Sequence, residues 1–336
     1  MAKPPLRLQD LPAEQARFCL DVERFLAEGA GAPLNRLTVI CAFSGGPDST
    51  ALLLSLWYLC PRFDMRVLAA HLDHGLRPES ASEAERCQAI CEEFSIELYT
   101  ERVNLPEKKG KGLEAAARRA RYDFLDRARS VAGAHMIATG HTLNDLAEDQ
   151  LMRLIRGAGW PALGGMPAHD QDRRLVRPLL MTPKADCETF LTRLGIAWTE
   201  DPSNKDPAFF RNRVRSDILP VFMNENPGYL DNAKALWRMA RMDEAHFASE
   251  ISEFEQDDSG HVVLARAELA TLHPAMRLRL YKAVIEGLGQ GQPLAAALFD
   301  LDEAFREKRT GKLFQFPGGK TAEITHSGVK FSSGPQ

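Results

Sequence analysis

Residues 37–43 (LTVICAF) run apolar almost without a break and end on Ser44-Gly45-Gly46-Pro47-Asp48-Ser49-Thr50, beyond which a second apolar stretch begins. So short an apolar run, without alternation, fits a strand buried on both faces. The stretch that follows, 49–59 (STALLLSLWYL), reads as a helix. The pattern then repeats. Residues 66–72, 96–102 and 134–139 read as further strands, and 80–94, 113–132 and 142–156 as helices between and after them. This alternation predicts an α/β fold: a doubly wound parallel sheet with helices on both faces. Ligands of such sheets bind beyond the carboxyl ends of the strands, which is where the polar motifs of this chain fall.

Past residue 160 the pattern loosens. A helix is expected at 183–194, a short strand at 196–200 (IAWTE), and a turn at Pro202–Asn204. Residues 208–256 read as helical with a break at Asn226-Pro227-Gly228, and 264–310 as helical with a break near Gly287–Gln292. The end looks like short strands joined by Pro-Gly-Gly and His-Ser-Gly turns. Two domains follow: 1–217, carrying the sheet, and 218–336, smaller and mostly helical with short C-terminal strands. At 336 residues two domains are also the default.

No apolar run is long enough to span a bilayer and the N-terminus lacks a secretory core, so a cytoplasmic location is expected. Six cysteines (Cys19, Cys41, Cys60, Cys87, Cys91, Cys187) include no CxxC pair, which points to buried thiols rather than zinc, an iron–sulfur cluster or a redox pair. The net charge of −4 excludes a global basic field, so any nucleic-acid contact must come from local patches. One such patch is 101–130, with nine Lys or Arg against five Asp or Glu.

The loop between the first strand and its helix has the makings of an anion cradle. Gly45 and Gly46 let the backbone turn sharply and approach a phosphate, and Pro47 fits the first helical position. The free amides of the first turn, with the hydroxyls of Ser44, Ser49 and Thr50, complete the cradle. Asp48 is suited to holding Mg²⁺ that bridges ATP phosphates. No Lys is present, so this is not a GxxxxGK[ST] loop. SGGPDS instead resembles the PP-loop of ATP pyrophosphatases, which release pyrophosphate and leave AMP on an acceptor.

At the end of the second strand stands His71-Leu72-Asp73-His74-Gly75-Leu76-Arg77. It resembles a motif of the tRNA(Ile)-lysidine synthetases. Glu114-Ala115-Ala116-Ala117-Arg118 with Arg121-Tyr122 resembles that family's E-x-x-A-R-x-x-R-Y helix. Thr139-Gly140-His141 with Asp145, Glu148 and Arg156-Gly157 resembles its TGH segment, and Arg177–Leu180, Asp201–Asn204 and Arg211-Asn212-x-x-Arg215 its RPLL…DPSN…RNxxR series. The order is kept across roughly 36–220.

The resemblance implies an ATP- and Mg²⁺-dependent ligase. ATP adenylates C2 of the wobble cytidine in the isoleucine tRNA with a CAU anticodon, and free lysine then displaces AMP. It assigns the reaction to Asp48, Arg118 and Asp145, with Asp48 also the metal ligand. ATP falls to Ser44–Thr50 (Ser44, Gly45, Gly46, Pro47, Asp48, Ser49, Thr50), His71, Arg77, Gly140 and His141. Lysine falls to His141, Asp145 and Glu148, and the tRNA to Lys108, Lys109, Lys111, Arg121, Arg211, Asn212 and Arg215. The chain departs from the family at Thr142 and Asn144, where His and Asp are usual, and carries an extra carboxylate at Asp149. An amine other than lysine, or a tRNA thiolation activity, are the alternatives. A homodimer is the default assembly.

Overall fold

The computed structural model describes residues 5–32, 35–73, 80–103, 111–199, 209–251, 254, 256–257 and 259–333; for 80–81 and 111–115 only the backbone is described. Among the described residues no helix is long and apolar enough to cross a membrane.

Helix α1 (Ala13–Arg24) precedes the first strand, β1 (Thr38–Ala42). Alternation then follows: α2 (Pro47–Phe63), β2 (Arg66–Asp73), α3 (Ser80–Glu93), β3 (Leu98–Arg102), α4 (Lys111–Val131), β4 (Met136–Ala138) and α5 (Leu143–Ile155). A two-residue pair, β5 (His169–Asp170) and β6 (Leu175–Val176), leads to α6 (Lys184–Leu194). The sheet order is β3-β2-β1-β4-β6-β5, parallel throughout except for the antiparallel β5–β6 edge.

Burial follows from the pleat, which sends successive side chains to opposite faces. Val39, Cys41, Val67 and Ala69 enter one core with α1, α2, α3 and α6. Ile40, Leu68 and Ala70 enter the other, against Phe124, Leu125 and Ala128 of α4. Both faces are therefore covered, which is why the strands read as unbroken apolar runs.

Helix α2 begins at Gly46 with Pro47 in its first turn and ends at Asp64, whose φ of +50° closes it. Beyond α6 the expected strand over 196–200 does not form. The described residues 196–199 carry no regular secondary structure, and the amide of Thr199 instead donates to the Gly45 carbonyl at 3.0 Å. The chain then passes through α7 (Phe210–Arg213), one π-helical turn at Val214–Ile218, α8 (Leu219–Glu225) and α9 (Tyr229–Glu250), with the Asn226–Gly228 break where the sequence put it.

The remainder holds β7 (Val262–Ala265), α10 (Arg266–Thr271), α11 (Pro274–Gly287), α12 (Ala295–Arg306), β8 (Leu313–Phe316), β9 (Lys320–Ile324) and β10 (Gly328–Ser332). Four strands pair antiparallel in the order β7-β10-β9-β8. Strand β7 falls at the start of a stretch expected to be helical.

The chain divides into two compact units: 1–152 with 165–234, and 153–164 with 235–336. The boundaries at 152/153 and 234/235 lie inside α5 and α9, the third falls between Gly164 and Gly165, and none coincides with 217/218. The second unit has its own core, where Tyr281, Val284, Leu301, Ile324 and Phe331 are buried together. Inside it, Arg277 and Asp302 form a bidentate pair at 2.6 and 3.0 Å.

Candidate active site

The sheet order places a switch point between β1 and β4. From β1 the chain winds outward to β2 and β3, then returns to the other side of β1 as β4. The loops that leave β1 and β4 therefore diverge and open a crevice at their carboxyl ends. Residues 44–46 and 139–142 are those two loops.

The β1 loop is held from three directions. Gly45 has a φ of +77°, and a Cβ on it would stand 3.0 Å from the Cys87 sulfur of α3. A Cβ on Gly140 would meet the Asp48 carbonyl carbon at 3.0 Å and the Ser49 nitrogen at 3.1 Å, so only glycine lets the β4 loop lie this close. From the third direction comes the Thr199 amide described above, a contact that no motif signals.

Internal bonds set the loop's shape. Ser49 Oγ donates to the Gly46 carbonyl at 3.0 Å and Thr50 Oγ1 to the same oxygen at 2.8 Å; Thr50 is fully buried. Ser44 stays exposed, its amide donating to Ser49 Oγ at 3.2 Å. Ser44 Oγ also lies 3.1 Å from Ser49 Oγ, so all three hydroxyls read as a cradle are engaged in shaping the loop. At the start of α2, where Pro47 has no N–H, the Asp48 and Ser49 amides come too early in the helix for an internal partner, the arrangement an anion would need. His71 is buried near the end of β2, and its Nδ1–H donates to the Phe43 carbonyl at 2.9 Å.

Across the crevice, Thr142 caps α5. The Asp145 carboxylate, three residues on, accepts from the Thr142 amide at 2.8 Å and from its hydroxyl at 2.9 Å. The other Asp145 oxygen accepts from Arg211 (3.0 Å) and Arg215 (3.1 Å). Glu148, one helical turn further and only 1% exposed, accepts from Arg211 Nε at 2.8 Å and Arg215 Nε at 2.6 Å. The sequence assigned the acids to lysine and the arginines to tRNA; the fold brings all four into one network.

Asn144 caps a different helix: its Oδ1 accepts from the Lys184 amide at the start of α6, at 2.9 Å. A carbonyl oxygen suffices for that bond, so the family's usual carboxylate is not needed for it.

These groups enclose a cavity of about 260 Å³ lined by Asp48, Thr142, Asn144, Asp145, Glu148, Lys184 and Arg215, with an apolar wall of Leu219, Pro220 and Met223. Asp48 Oδ1 is buried without a hydrogen-bond partner. Burial, then the nearby Asp145 charge, pushes the Asp48 carboxyl up to about 6, against the pull of Lys184 and Arg215. Burial works in the same direction on Asp145, but Arg211, His141, the Thr142 amide and Arg215 outweigh it and hold that carboxyl below the usual carboxylate range. His141 bonds Thr139 Oγ1 at 2.9 Å, and burial, reinforced by Arg177, Arg211 and Arg121 against Asp145, keeps its imidazole neutral.

Asp48 with its orphaned oxygen fits a cation shared with phosphate oxygens. It offers one ligand only, and among the described residues no group of three His, Cys, Asp or Glu side chains stands ready to hold a metal without phosphates. Lys184 and the apolar wall escaped the sequence reading. Lys184 follows the RPLL motif at the start of α6, whereas Leu219, Pro220 and Met223 carry no local mark.

Other expected residues lie elsewhere. Arg118 and Arg121 are exposed on α4 and stack over Tyr122 at 5.1 and 5.7 Å. Asn212 is half-buried on α7. Arg77, Lys108, Lys109 and the Asp201–Asn204 turn lie outside the described residues, as do the side chains of Lys111 and Glu114. Five of the six cysteines are buried and Cys60 half-buried. Burial pushes the thiols of Cys19, Cys87 and Cys91 up to about 12, away from any reactive thiolate.

The PP-loop domain family model matches residues 18–222. A tRNA(Ile)-lysidine synthase of Nitratidesulfovibrio vulgaris is 44% identical over 88% of this chain and 92% of that protein. The enzyme of the same name from Thermus thermophilus is 35% identical over 84% of this chain and 54% of its own length, and that of Enterococcus faecalis 36% identical over 58% and 42%. The chain thus spans nearly all of the first and about half of the other two. Among solved structures, the U34-tRNA thiolase NcsA from Methanococcus maripaludis superposes with a TM-score of 0.58, covering 74% of this chain and 82% of that one, at 19% identity. That likeness is one of fold.

Proposed function

The chain belongs to the tRNA(Ile)-lysidine synthase family of PP-loop proteins, and from that premise we propose that it is an ATP-dependent ligase acting on the isoleucine tRNA with a CAU anticodon. ATP adenylates the C2 oxygen of the wobble cytidine, releasing pyrophosphate. The amine of free lysine then attacks C2 and AMP leaves. Adenylation is needed because a carbonyl oxygen is a poor leaving group and a phosphate ester is a good one.

The observation that carries this reading is the composition of the cavity. It sets Asp48 of the nucleotide loop beside two further carboxylates and an apolar wall. Lysine has the matching build: a cationic head for Asp145 and Glu148, and a methylene stem to lie against Leu219, Pro220 and Met223. Arg211 and Arg215 already bond those carboxylates, so we place them in the amine pocket, orienting its acids, rather than on the RNA surface. His141, held neutral, serves as a hydrogen-bonding group there, not as a proton store.

On the nucleotide side, the α2 amides, Ser44 and the close-packed Gly45, Gly46 and Gly140 receive the phosphates, with His71 and Arg77 flanking. Asp48 holds Mg²⁺, which when bound offsets phosphate charge as pyrophosphate departs. The family resemblance gives Arg118 to the reaction, although it stands on α4 over Tyr122 and not in the cavity lining; Arg121, Asn212 and the lysines at 108, 109 and 111 are given to the tRNA. Location in the cytoplasm and assembly as a homodimer complete the proposal. The thiolation alternative is disfavoured by the thiols, whose burial raises them well out of the nucleophilic range.

Pyrophosphate release tests the first half-reaction. With ATP and Mg²⁺ it is expected to depend on the CAU-anticodon tRNA and to fall to background in Asp48→Ala. Release that ignores tRNA, or none at all, would contradict the assignment.

A further inference from the structure

Outside the cavity, one side chain gathers an unusual amount of positive charge. The Tyr122 ring of α4 is approached by Arg118 at 5.1 Å, Arg121 at 5.7 Å and Arg173 at 5.6 Å. The first two share a helix with Tyr122, at spacings of four and one residues. The third arrives from the turn between β5 and β6, about fifty positions along the chain. A fourth guanidinium, that of Arg177, lies near enough to feel both Tyr122 and Arg118. It is buried, donates to the Pro167 carbonyl at 2.7 Å, and keeps its Nε without a partner. The Tyr122 hydroxyl is also buried without one.

Compensating charge is sparse. Asp170 stands 3.9 Å from Arg173 Nε, and Asp170 and Asp149 both act on Arg177. Arg118 and Arg121 have no carboxylate within ion-pair distance among the described residues. Stacking on a ring orders long side chains that would otherwise lose rotamer freedom on binding. Like charges held this close repel, and an anion relieves the repulsion. Arg118, Arg121 and Arg173 are all exposed, so the anion must come from outside the cavity.

We propose that Tyr122 and the arginines around it form a phosphodiester-binding surface that seats the RNA strand, with Arg173 of the β5–β6 turn as one of its ligands. The inference rests on the tRNA reading above for the identity of the strand. It adds Arg173, which belongs to no motif, and it explains Tyr122 as the ring that pre-arranges the guanidinium groups.

The test is equilibrium binding of the CAU-anticodon isoleucine tRNA transcript and of an unrelated tRNA to the full chain, over a salt series, for wild type, Arg173→Ala and Arg173→Lys. ATP affinity and thermal stability are measured on the same proteins. Arg173→Ala is expected to weaken both RNAs several-fold and to lower the slope of log affinity against log salt by about 0.7–0.9, the signature of one lost phosphate contact. Arg173→Lys should restore most of the slope. Unchanged affinity and slope in Arg173→Ala would overturn the proposal, as would an equal loss of ATP affinity, since the phosphate bound would then be the nucleotide's. If wild type binds no RNA, this inference and the tRNA reading fall together. If the slope falls as expected while no lysine reaches the tRNA, the surface stands and only the lysine assignment fails.

Discussion

Gly140 is hemmed in by backbone on the nucleotide loop's side. Its missing Cβ is all that separates the β4 loop from the backbone of Asp48 and Ser49. Backbone cannot rotate away as a side chain can, so Gly140→Ala must move one loop or the other. A misplacement on the order of 1 Å costs about 100-fold in rate. The 3.0–3.1 Å contacts need a shift of only a few tenths of an ångström, so Gly140→Ala is expected to lose less than that, roughly several-fold, in tRNA-dependent pyrophosphate release, with the circular dichroism of the folded protein retained. Its neighbour His141 makes a prediction about pH. The folded protein holds that imidazole neutral below the ordinary histidine value of 6.5. Below that value the unfolded chain takes up a proton that the folded one refuses, so this contribution costs stability as pH falls and vanishes above it. Between about pH 7.5 and about pH 5.5, wild type is expected to lose more urea stability than His141→Asn. Equal losses would show that His141 titrates normally.

At the scale of elements, α5 is the piece on which the site is hung. Its Thr142 cap holds Asp145, and its inner turn presents Glu148 to the arginines of α7 and the following π-helical turn. Removing Glu148 leaves two guanidinium groups with Asp145 as their one remaining carboxylate in this network. A fully enclosed broken pair costs about 3–5 kcal/mol; Arg211 and Arg215 are 27% and 37% exposed, so water recovers part of that. Glu148→Ala is expected to cost about 2 kcal/mol in urea unfolding and to raise the KM for lysine more than it lowers kcat. Unaltered lysine dependence would remove Glu148 from the amine pocket. The acids, the arginines and their spacing were each legible in the sequence, because a helix puts positions three and four apart on one face. Their meeting was not legible, since it joins residues more than sixty positions apart and depends on how α7 packs. Strand β7 and the irregular 196–199 segment were misread for a related reason. Four or five apolar residues look alike as strand, helix end or loop until a partner strand is present, and 196–199 finds none.

For the molecule as a whole, the alternation of strands and helices announced the sheet and its two covered faces. Division into units was harder to place, because two of its three boundaries fall within continuous helices and leave no linker composition to find. The second unit carries its own stabilising device in the buried Arg277–Asp302 pair, each partner 7% exposed. Asp302→Ala should destabilise that unit by about 3 kcal/mol or more, read as an earlier transition in thermal unfolding. ATP affinity, a property of the first unit, is expected to stay at the wild-type value. A uniform loss across both would mean that the chain unfolds as one block. The chemistry as a whole is decided by the product. After incubation with ATP, Mg²⁺, lysine and the CAU-anticodon isoleucine tRNA, the wobble nucleoside is isolated by digestion and weighed by mass spectrometry. Cytidine plus lysine less one water, absent without ATP and absent in Asp48→Ala, is the expected product. An unchanged cytidine, or one whose added mass corresponds to sulfur or to a different amine, would contradict the lysine ligase.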